Sequence, residues 1–200
     1  MADREDSAGV ARKPRADAER NRLRLMGAAK DAFTELGPDV ALDEIARRAG
    51  VGIGTLYRHF PTRDVLLAEV YRHAVEQLAE AAAQLSKTRT PVDALREWMR
   101  LFVDYIAAKQ VIASALRSMA GGTDNLYASS GATIKSAISL VIDQAVTNGD
   151  IRLDLDPLDL LRALVGVANV NNGPDWQTRA HALIDILIEG IRVQRSNPPA

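Results

Sequence analysis

The sequence predicts an all-α protein of about nine helices, with a small N-terminal helix-turn-helix unit and a larger helical body. Three observations carry this prediction. Alanine, leucine and arginine, which are strong helix formers, dominate the chain. Apolar residues recur at steps of three and four rather than in alternation, as on a helix with one buried face. Clusters of glycine, proline, asparagine and aspartate separate these periodic stretches.

Composition and charge narrow the class of protein. The chain has 200 residues, of which 47% are hydrophobic and 26% are charged, as in an ordinary globular protein. It contains no cysteine, so disulfides and thiolate metal sites are excluded. The N-terminus lacks the apolar core of a secretory signal, and no apolar run approaches the ~20 residues of a membrane span. We therefore expect a cytoplasmic protein with no membrane partner.

Charge is concentrated toward the N-terminus. Between Arg12 and Arg63 there are eleven lysines and arginines against seven aspartates and glutamates, whereas the whole chain has a net charge of -1. A basic head on a mildly acidic body is typical of a DNA-binding protein. An excess this small is also compatible with chance.

The N-terminal elements follow in order. Residues 1–17 are polar, so we expect a disordered basic arm. A first helix is expected over 18–36, where Gly37 and Pro38 end it. A second helix over 42–49 closes at a glycine, and a third over 53–60 ends at a proline.

The rest of the chain predicts a longer series of helices. Thr62 suits the N-cap of a fourth helix, which should extend to about Leu85. Five more helices are expected at 92–108, 111–119, 126–147, 158–170 and 176–195. We therefore divide the chain into the arm 1–17, a DNA-binding domain 18–62, an effector-binding and dimerisation domain 63–195, and a flexible tail 196–200.

The most informative stretch is "ALDEIARRAGVGIGTLYRHFPTRDVLL", residues 41–67. Two short helices meet there at a tight turn containing glycine. Leu56 and Phe60 lie four apart and should turn one face of the third helix inward. The outward face then carries hydroxyls, a cation and an imidazole, which suit a phosphate backbone, and its first residues reach base edges in the major groove. Those outward residues are Gly54, Thr55, Tyr57, Arg58 and His59.

This stretch resembles the helix-turn-helix signature of the TetR family of transcriptional regulators, above all in "GTLYRHF" and the helix start that follows it. The resemblance implies three DNA-binding helices, a long fourth helix, and a body that binds a small molecule and dimerises. It implies that Tyr57 and His59 contact phosphate and that Thr55 adds a hydroxyl contact. Arg63 stands where the family usually has a phosphate-binding lysine.

Two positions depart from the family pattern. Gly52 replaces a commoner serine or threonine, and Ile53 replaces a polar residue. Together with Gly54 they face the groove floor by position, where Ile53 is suited to a thymine methyl. Fewer polar base readers shift recognition toward DNA shape. In the arm, Arg15 either contacts the minor groove or only adds solubility.

The body offers candidates for a ligand cavity. Three aromatic residues fall on one helical face within eight positions, and the resemblance places a cavity among the helices of the body. An apolar or flat effector would suit such a wall. The same stripe fits ordinary core packing, so both interpretations stay open. The candidate lining residues are Trp98, Phe102, Tyr105, Met119, Tyr127 and Asn169.

The last two helices are apolar on more than one face, which favours burial against a partner. We expect two such helices from each subunit to form a twofold four-helix interface, the alternative being a deep monomer core. The candidate interface residues are Leu160, Leu161, Leu164, Val167, Ile184, Leu187, Ile188 and Ile191.

These patterns predict a ligand-responsive repressor that binds a near-palindromic double-stranded operator as a homodimer and is released by a small molecule. An activator has the same architecture, so the sign of regulation stays open. An enzyme is disfavoured, since there are three histidines, no cysteine and no nucleophile or metal motif; we expect no catalytic residue, metal or cofactor. A helical adaptor that binds protein is the third class, against which "GTLYRHF" argues.

Overall fold

The computed structural model describes residues 12–117, 119, 123–170, 173 and 175–193. Eight α-helices and no β-strand lie in these residues, so the predicted all-α fold is confirmed. The helices are α1 (Arg12–Leu36), α2 (Leu42–Arg48), α3 (Ile53–His59), α4 (Arg63–Thr88), α5 (Pro91–Arg117), α6 (Asp124–Thr147), α7 (Pro157–Val170) and α8 (Trp176–Ile191).

The chain divides into two compact units. The first comprises Met1–Val70 and Val111–Ala120, and the second comprises Tyr71–Gln110 and Gly121–Ala200. The first turns of α4, up to Val70, thus belong to the first unit. The domain boundary expected between residues 62 and 63 stays a prediction. The end of α5 also belongs to the first unit. The predicted tail 196–200 lies outside the described residues.

Two helix predictions are corrected. The helices expected at 92–108 and 111–119 are one continuous helix, α5, because Lys109 and Gln110 do not interrupt it. This reduces the count from nine to eight over the described residues. In addition, α1 begins at Arg12, so residues 12–17 are helical rather than a disordered arm. Pro14 is compatible with this start, because the first helical N–H groups need no partner within the helix.

The head has one apolar core. Leu25, Met26, Ala29 and Phe33 form the buried face of α1. The head also buries, fully or almost fully, Phe60 after α3 and side chains of the next three helices: Ile45, Ala46, Leu56, Leu66 and Leu67. Leu36, in the last turn of α1, is 55% exposed.

The second unit is a packed helical body. α6 packs on α7 and α7 packs on α8. An isolated bridge pairs Ile151, just after α6, with Arg192, just after α8. Within the described residues, no helix combines the length and the apolar character that crossing a bilayer requires.

Candidate nucleic-acid interface and effector cavity

The turn between α2 and α3 depends on one glycine. Gly50 has a φ of +64°, the left-handed conformation that side chains disfavour. A Cβ at this position would also lie 2.6 Å from Nη2 of Arg24. The chain then reverses, Val51 N–H donating to the carbonyl of Ala46 at 3.0 Å, and Gly52 enters α3 from an extended conformation. The predicted helix-turn-helix is therefore present.

The orientation of α3 is fixed by two apolar side chains. Leu56 and Phe60 are completely buried, as their spacing predicts. Tyr57 on the opposite side is 49% exposed, and Arg58 is exposed as well. Of the other predicted contact residues, Gly52 and Gly54 are exposed, and Ile53, Thr55 and His59 are half-buried. The sequence thus places hydroxyl and cationic groups on the outer face of α3.

An ionic network braces α2 beneath this helix. Arg47 and Arg48 both donate hydrogen bonds to the Glu44 carboxylate, at 2.7–2.8 Å. Arg48 also donates to Glu35 of α1 at 2.7 Å, which joins the two helices. The hydrogen bonds from Arg47, and after them the one from Arg48, lower the pKa of Glu44 to about 2. Glu44 is therefore ionised at any pH near neutrality.

Arg63 has a structural role that the sequence did not predict. Its guanidinium donates to the carbonyl oxygens of Pro38 and Val40, both at 2.7 Å, and so ties the α1–α2 turn to the start of α4. Arg63 therefore braces this turn in the chain, and the phosphate contact expected for it stays a prediction. Thr62 caps α4 as predicted, since the Val65 N–H donates to its hydroxyl at 3.2 Å.

For two predicted site residues the structure describes the backbone alone. Arg15 lies in the first turns of α1 and Asn169 in the last turn of α7, and both side chains lie outside the described residues. Their roles at the DNA and in the cavity stay predictions.

The second unit contains a cavity of about 560 Å³. Four helices, α4 to α7, supply its wall, which is mostly aromatic and aliphatic. Phe102, Tyr105 and Tyr127 line it, which agrees with the sequence prediction. The lining residues that the prediction did not include comprise, among others, Tyr71, Ile106, Lys109, Lys135, Leu161 and Arg162.

Two predicted lining residues lie elsewhere. Trp98 is completely buried, and its Nε1–H donates to the carbonyl of Leu78 at 2.8 Å. Its ring stacks on Phe102, with 5.9 Å between ring centroids, so Trp98 supports the wall from the core rather than forming it. Met119 belongs to the first unit and is not among the described lining residues.

One missed cavity residue was within reach of the sequence. Lys109 follows Phe102 and Tyr105 at steps of three and four, so it continues their stripe. Tyr71 gave no comparable signal, because it lies on a different helix and approaches only in three dimensions. Its hydroxyl accepts a hydrogen bond from the Tyr105 hydroxyl at 2.9 Å.

Most of the predicted interface residues lie inside the chain. Leu160, Leu161, Leu164, Ile184 and Ile188 are buried in the single chain, so they cannot form an exposed contact face. The sequence prediction is wrong for these five, because α7 and α8 bury them against each other and the body. The remaining three, Val167, Leu187 and Ile191, are half-buried.

A short helix with an exposed polar face, held by a glycine turn on the apolar core of the head, defines a helix-turn-helix DNA-binding protein. The comparisons with known proteins specify it further. Residues 25–70 match the model of the bacterial regulatory proteins of the tetR family. Residues 90–193, more than half of the chain, match the model of the SbtR-like transcriptional regulator C-terminal domain. The chain belongs to the TetR family of transcriptional regulators.

Solved structures and curated relatives agree with this assignment. The crystal structure of the TetR transcriptional regulator SCO0520 from Streptomyces coelicolor is 40% identical, with a TM-score of 0.79 over 87% of this chain and 99% of that one. A TetR regulator from Mycobacterium vanbaalenii is 32% identical, with a TM-score of 0.74 over 90% and 99% of the two chains. An HTH-type regulator of Staphylococcus aureus is 37% identical over 34% of this chain. The match spans only 36% of that relative's length.

Proposed function

We propose that this regulator is a repressor that binds a near-palindromic operator as a homodimer and releases it when a small molecule occupies the cavity of the second unit. The observation that carries the proposal is the outer face of α3. Leu56 and Phe60 anchor the helix from below, so Tyr57 and Arg58 are presented to solvent in a fixed direction.

The contacts to DNA follow from this orientation. The Tyr57 hydroxyl and the Arg58 guanidinium are suited to phosphate oxygens, which position the helix on the duplex. Gly52 and Gly54 have open space where a Cβ would stand, so the backbone at the start of α3 can approach the floor of the major groove closely. Ile53, between these glycines, is suited to the methyl group of thymine.

The outer faces of α7 and α8 support a dimer. Ile186 is 68% exposed, an unusual position for a large aliphatic side chain. Ala182 and Gly190 stand one turn before and after it and are also exposed, so these three positions form a small apolar row on α8, with the exposed Glu189 beside it. Ala163 is exposed and Val167 half-buried on α7. We assign the twofold contact to these residues instead of the buried ones that the sequence suggested.

Control by a ligand requires that the ligand prefers one state of the protein. α4 is one continuous helix that gives Leu66 and Leu67 to the head core and Tyr71 to the cavity wall. A molecule that binds the cavity more tightly in a DNA-free state lowers operator affinity by that difference. We infer that α4 transmits this difference.

The decisive experiment is selection of bound sequences from a random duplex pool, at one fixed salt concentration. Enrichment of an inverted repeat by the parent and by a Lys87→Ala variant, and its loss with Tyr57→Ala, supports the proposal. Lys87 is an exposed residue near the end of α4 and serves as the control. If no sequence is enriched, or if Tyr57→Ala binds as well as the parent, a protein-binding adaptor becomes the better interpretation.

A further inference from the structure

The cavity of the second unit holds one lysine in an aromatic cage. The Nζ of Lys109 lies 4.5 Å from the ring centroid of Tyr127 and 5.4 Å from that of Tyr71. The two rings meet edge to face, with 5.7 Å between centroids and an angle of 78°. Two aromatic rings thus hold the ammonium group at the cavity wall through cation–π contacts.

The other two cations of the wall have carboxylate partners. Lys135 pairs with Asp156 at 3.3 Å, and Arg162 pairs with Asp159 at 2.6 Å. Among the described residues, Lys109 has no such ion pair, and no aspartate or glutamate lines the cavity. The wall is therefore positively charged, and the charge of Lys109 is the one not already matched by an anion.

A hydrogen-bond donor stands beside this lysine. The Tyr105 hydroxyl donates to the Tyr71 hydroxyl at 2.9 Å, and both side chains are buried. Because a hydroxyl carries one proton, Tyr71 as acceptor keeps its own proton for a further bond. Around the cavity, an ammonium group and a hydroxyl are thus both available to an oxygen anion, in walls whose other side chains are mostly apolar.

From this arrangement we infer that the effector is an organic acid: a carboxylate with an apolar body. The inference rests on the proposed effector role of the cavity. The carboxylate pairs with Lys109 and accepts the Tyr71 proton, and the body lies against Phe102, Ile106 and Leu161. A neutral analogue loses the ion pair, and a cationic analogue meets a wall of like charge.

The test uses two triplets of probes, each with one body and three head groups: 2-naphthylacetate, its primary amide and 2-(2-naphthyl)ethylammonium; decanoate, decanamide and decylammonium. Binding to the full chain without DNA is measured by calorimetry. In at least one triplet the carboxylate should bind at least tenfold more tightly than both partners. Lys109→Met should abolish that preference, mainly by weakening the binding of the carboxylate. Lys87→Met removes the same charge from an exposed site outside the cavity and should retain the preference.

Three results overturn the inference. The first is that in both triplets the amide or the ammonium probe binds as tightly as the carboxylate. The second is that no probe binds. The third is that Lys109→Met keeps the preference for the carboxylate. The comparison of the three head groups on the parent protein stands even where a variant fails to fold. The calorimetry contains no DNA, so it is independent of the operator experiment. A protein that prefers the acid but binds no operator refutes only the repressor proposal. A protein that binds an operator but does not prefer the acid refutes only this inference.

Discussion

The hydroxyl of Tyr105 donates a 2.9 Å hydrogen bond to the hydroxyl of Tyr71, inside the second unit. Burial, and after it the bond to Tyr71, raises the pKa of Tyr105 well above its ordinary value of 10.0. The folded protein therefore keeps this proton at pH values where the unfolded chain releases it. The linked stability is fully present below pH 10 and is lost as pH rises above it.

We therefore predict that Tyr105→Phe flattens the alkaline loss of stability. Above pH 10, each pH unit should cost the parent about 1.4 kcal/mol more than the variant, since one proton is at stake. Near neutral pH the variant should be less stable by about 1 kcal/mol, because it loses the hydrogen bond. Urea unfolding between pH 7 and pH 11 measures both differences. Equal slopes for Tyr105→Phe and the parent would refute the argument.

Arg63 and Arg58 should respond differently to salt. Both are arginines near the proposed DNA surface, but Arg63 bonds to Pro38 and Val40, whereas Arg58 is exposed. Arg58→Ala should reduce the slope of log affinity against log salt by about 0.9, because one phosphate contact is lost. Arg63→Ala should leave the slope unchanged and lower the free energy of unfolding by about 1–3 kcal/mol. Operator titrations at several salt concentrations measure these slopes. A reduced slope for Arg63→Ala would show that Arg63 contacts a phosphate.

Alanine substitutions at Gly50, before α3, and at Gly54, in its first turn, should have opposite effects on stability. Gly50→Ala forces a side chain into a φ of +64° and against Arg24, and should cost at least about 1–2 kcal/mol. Gly54→Ala lies inside α3 with open space around it, and should stabilise the helix by up to about 1 kcal/mol. If Gly54 faces the groove floor, the stabilised variant should nonetheless bind the operator more weakly. Thermal unfolding and operator titration on the same preparations separate the two effects, and a Gly54→Ala protein with full affinity would remove Gly54 from the interface.

The head was predictable because its signals are local. The four-residue spacing of Leu56 and Phe60 determines which face of α3 is buried, and the glycine at position 50 marks the end of α2. Such patterns depend on helix geometry and on backbone sterics alone. The role of Arg63 was missed because its acceptors, Pro38 and Val40, are more than 20 residues away along the chain.

The body was harder to predict because its contacts join distant helices. A stripe such as Trp98, Phe102 and Tyr105 shows which face of α5 is turned inward, but it does not separate core from cavity. Trp98 proved to be core, and Phe102 and Tyr105 proved to line the cavity. Likewise, apolar residues on two faces of a helix indicate burial without saying whether the partner is the same chain. Ile184 is completely buried within the chain, whereas Ile186, two residues away, is exposed.

That difference between Ile184 and Ile186 gives the last prediction. If the exposed face of α8 is the dimer contact, Ile186→Lys should sediment at micromolar concentration as a folded monomer of about 21.7 kDa, half the mass of the parent assembly. A charge in that contact has no partner and loses its water, whereas in the monomer it stays hydrated.

Two controls separate the contact from charge and from stability. Leu140→Lys places the same charge at an exposed leucine on α6 and should remain dimeric. Ile184→Val should keep the dimeric mass and cost about 0.5–1.5 kcal/mol of stability, because it removes one methyl group from the core. If Ile186→Lys is dimeric, the dimer contact lies elsewhere. If the parent is monomeric, there is no dimer contact to disrupt.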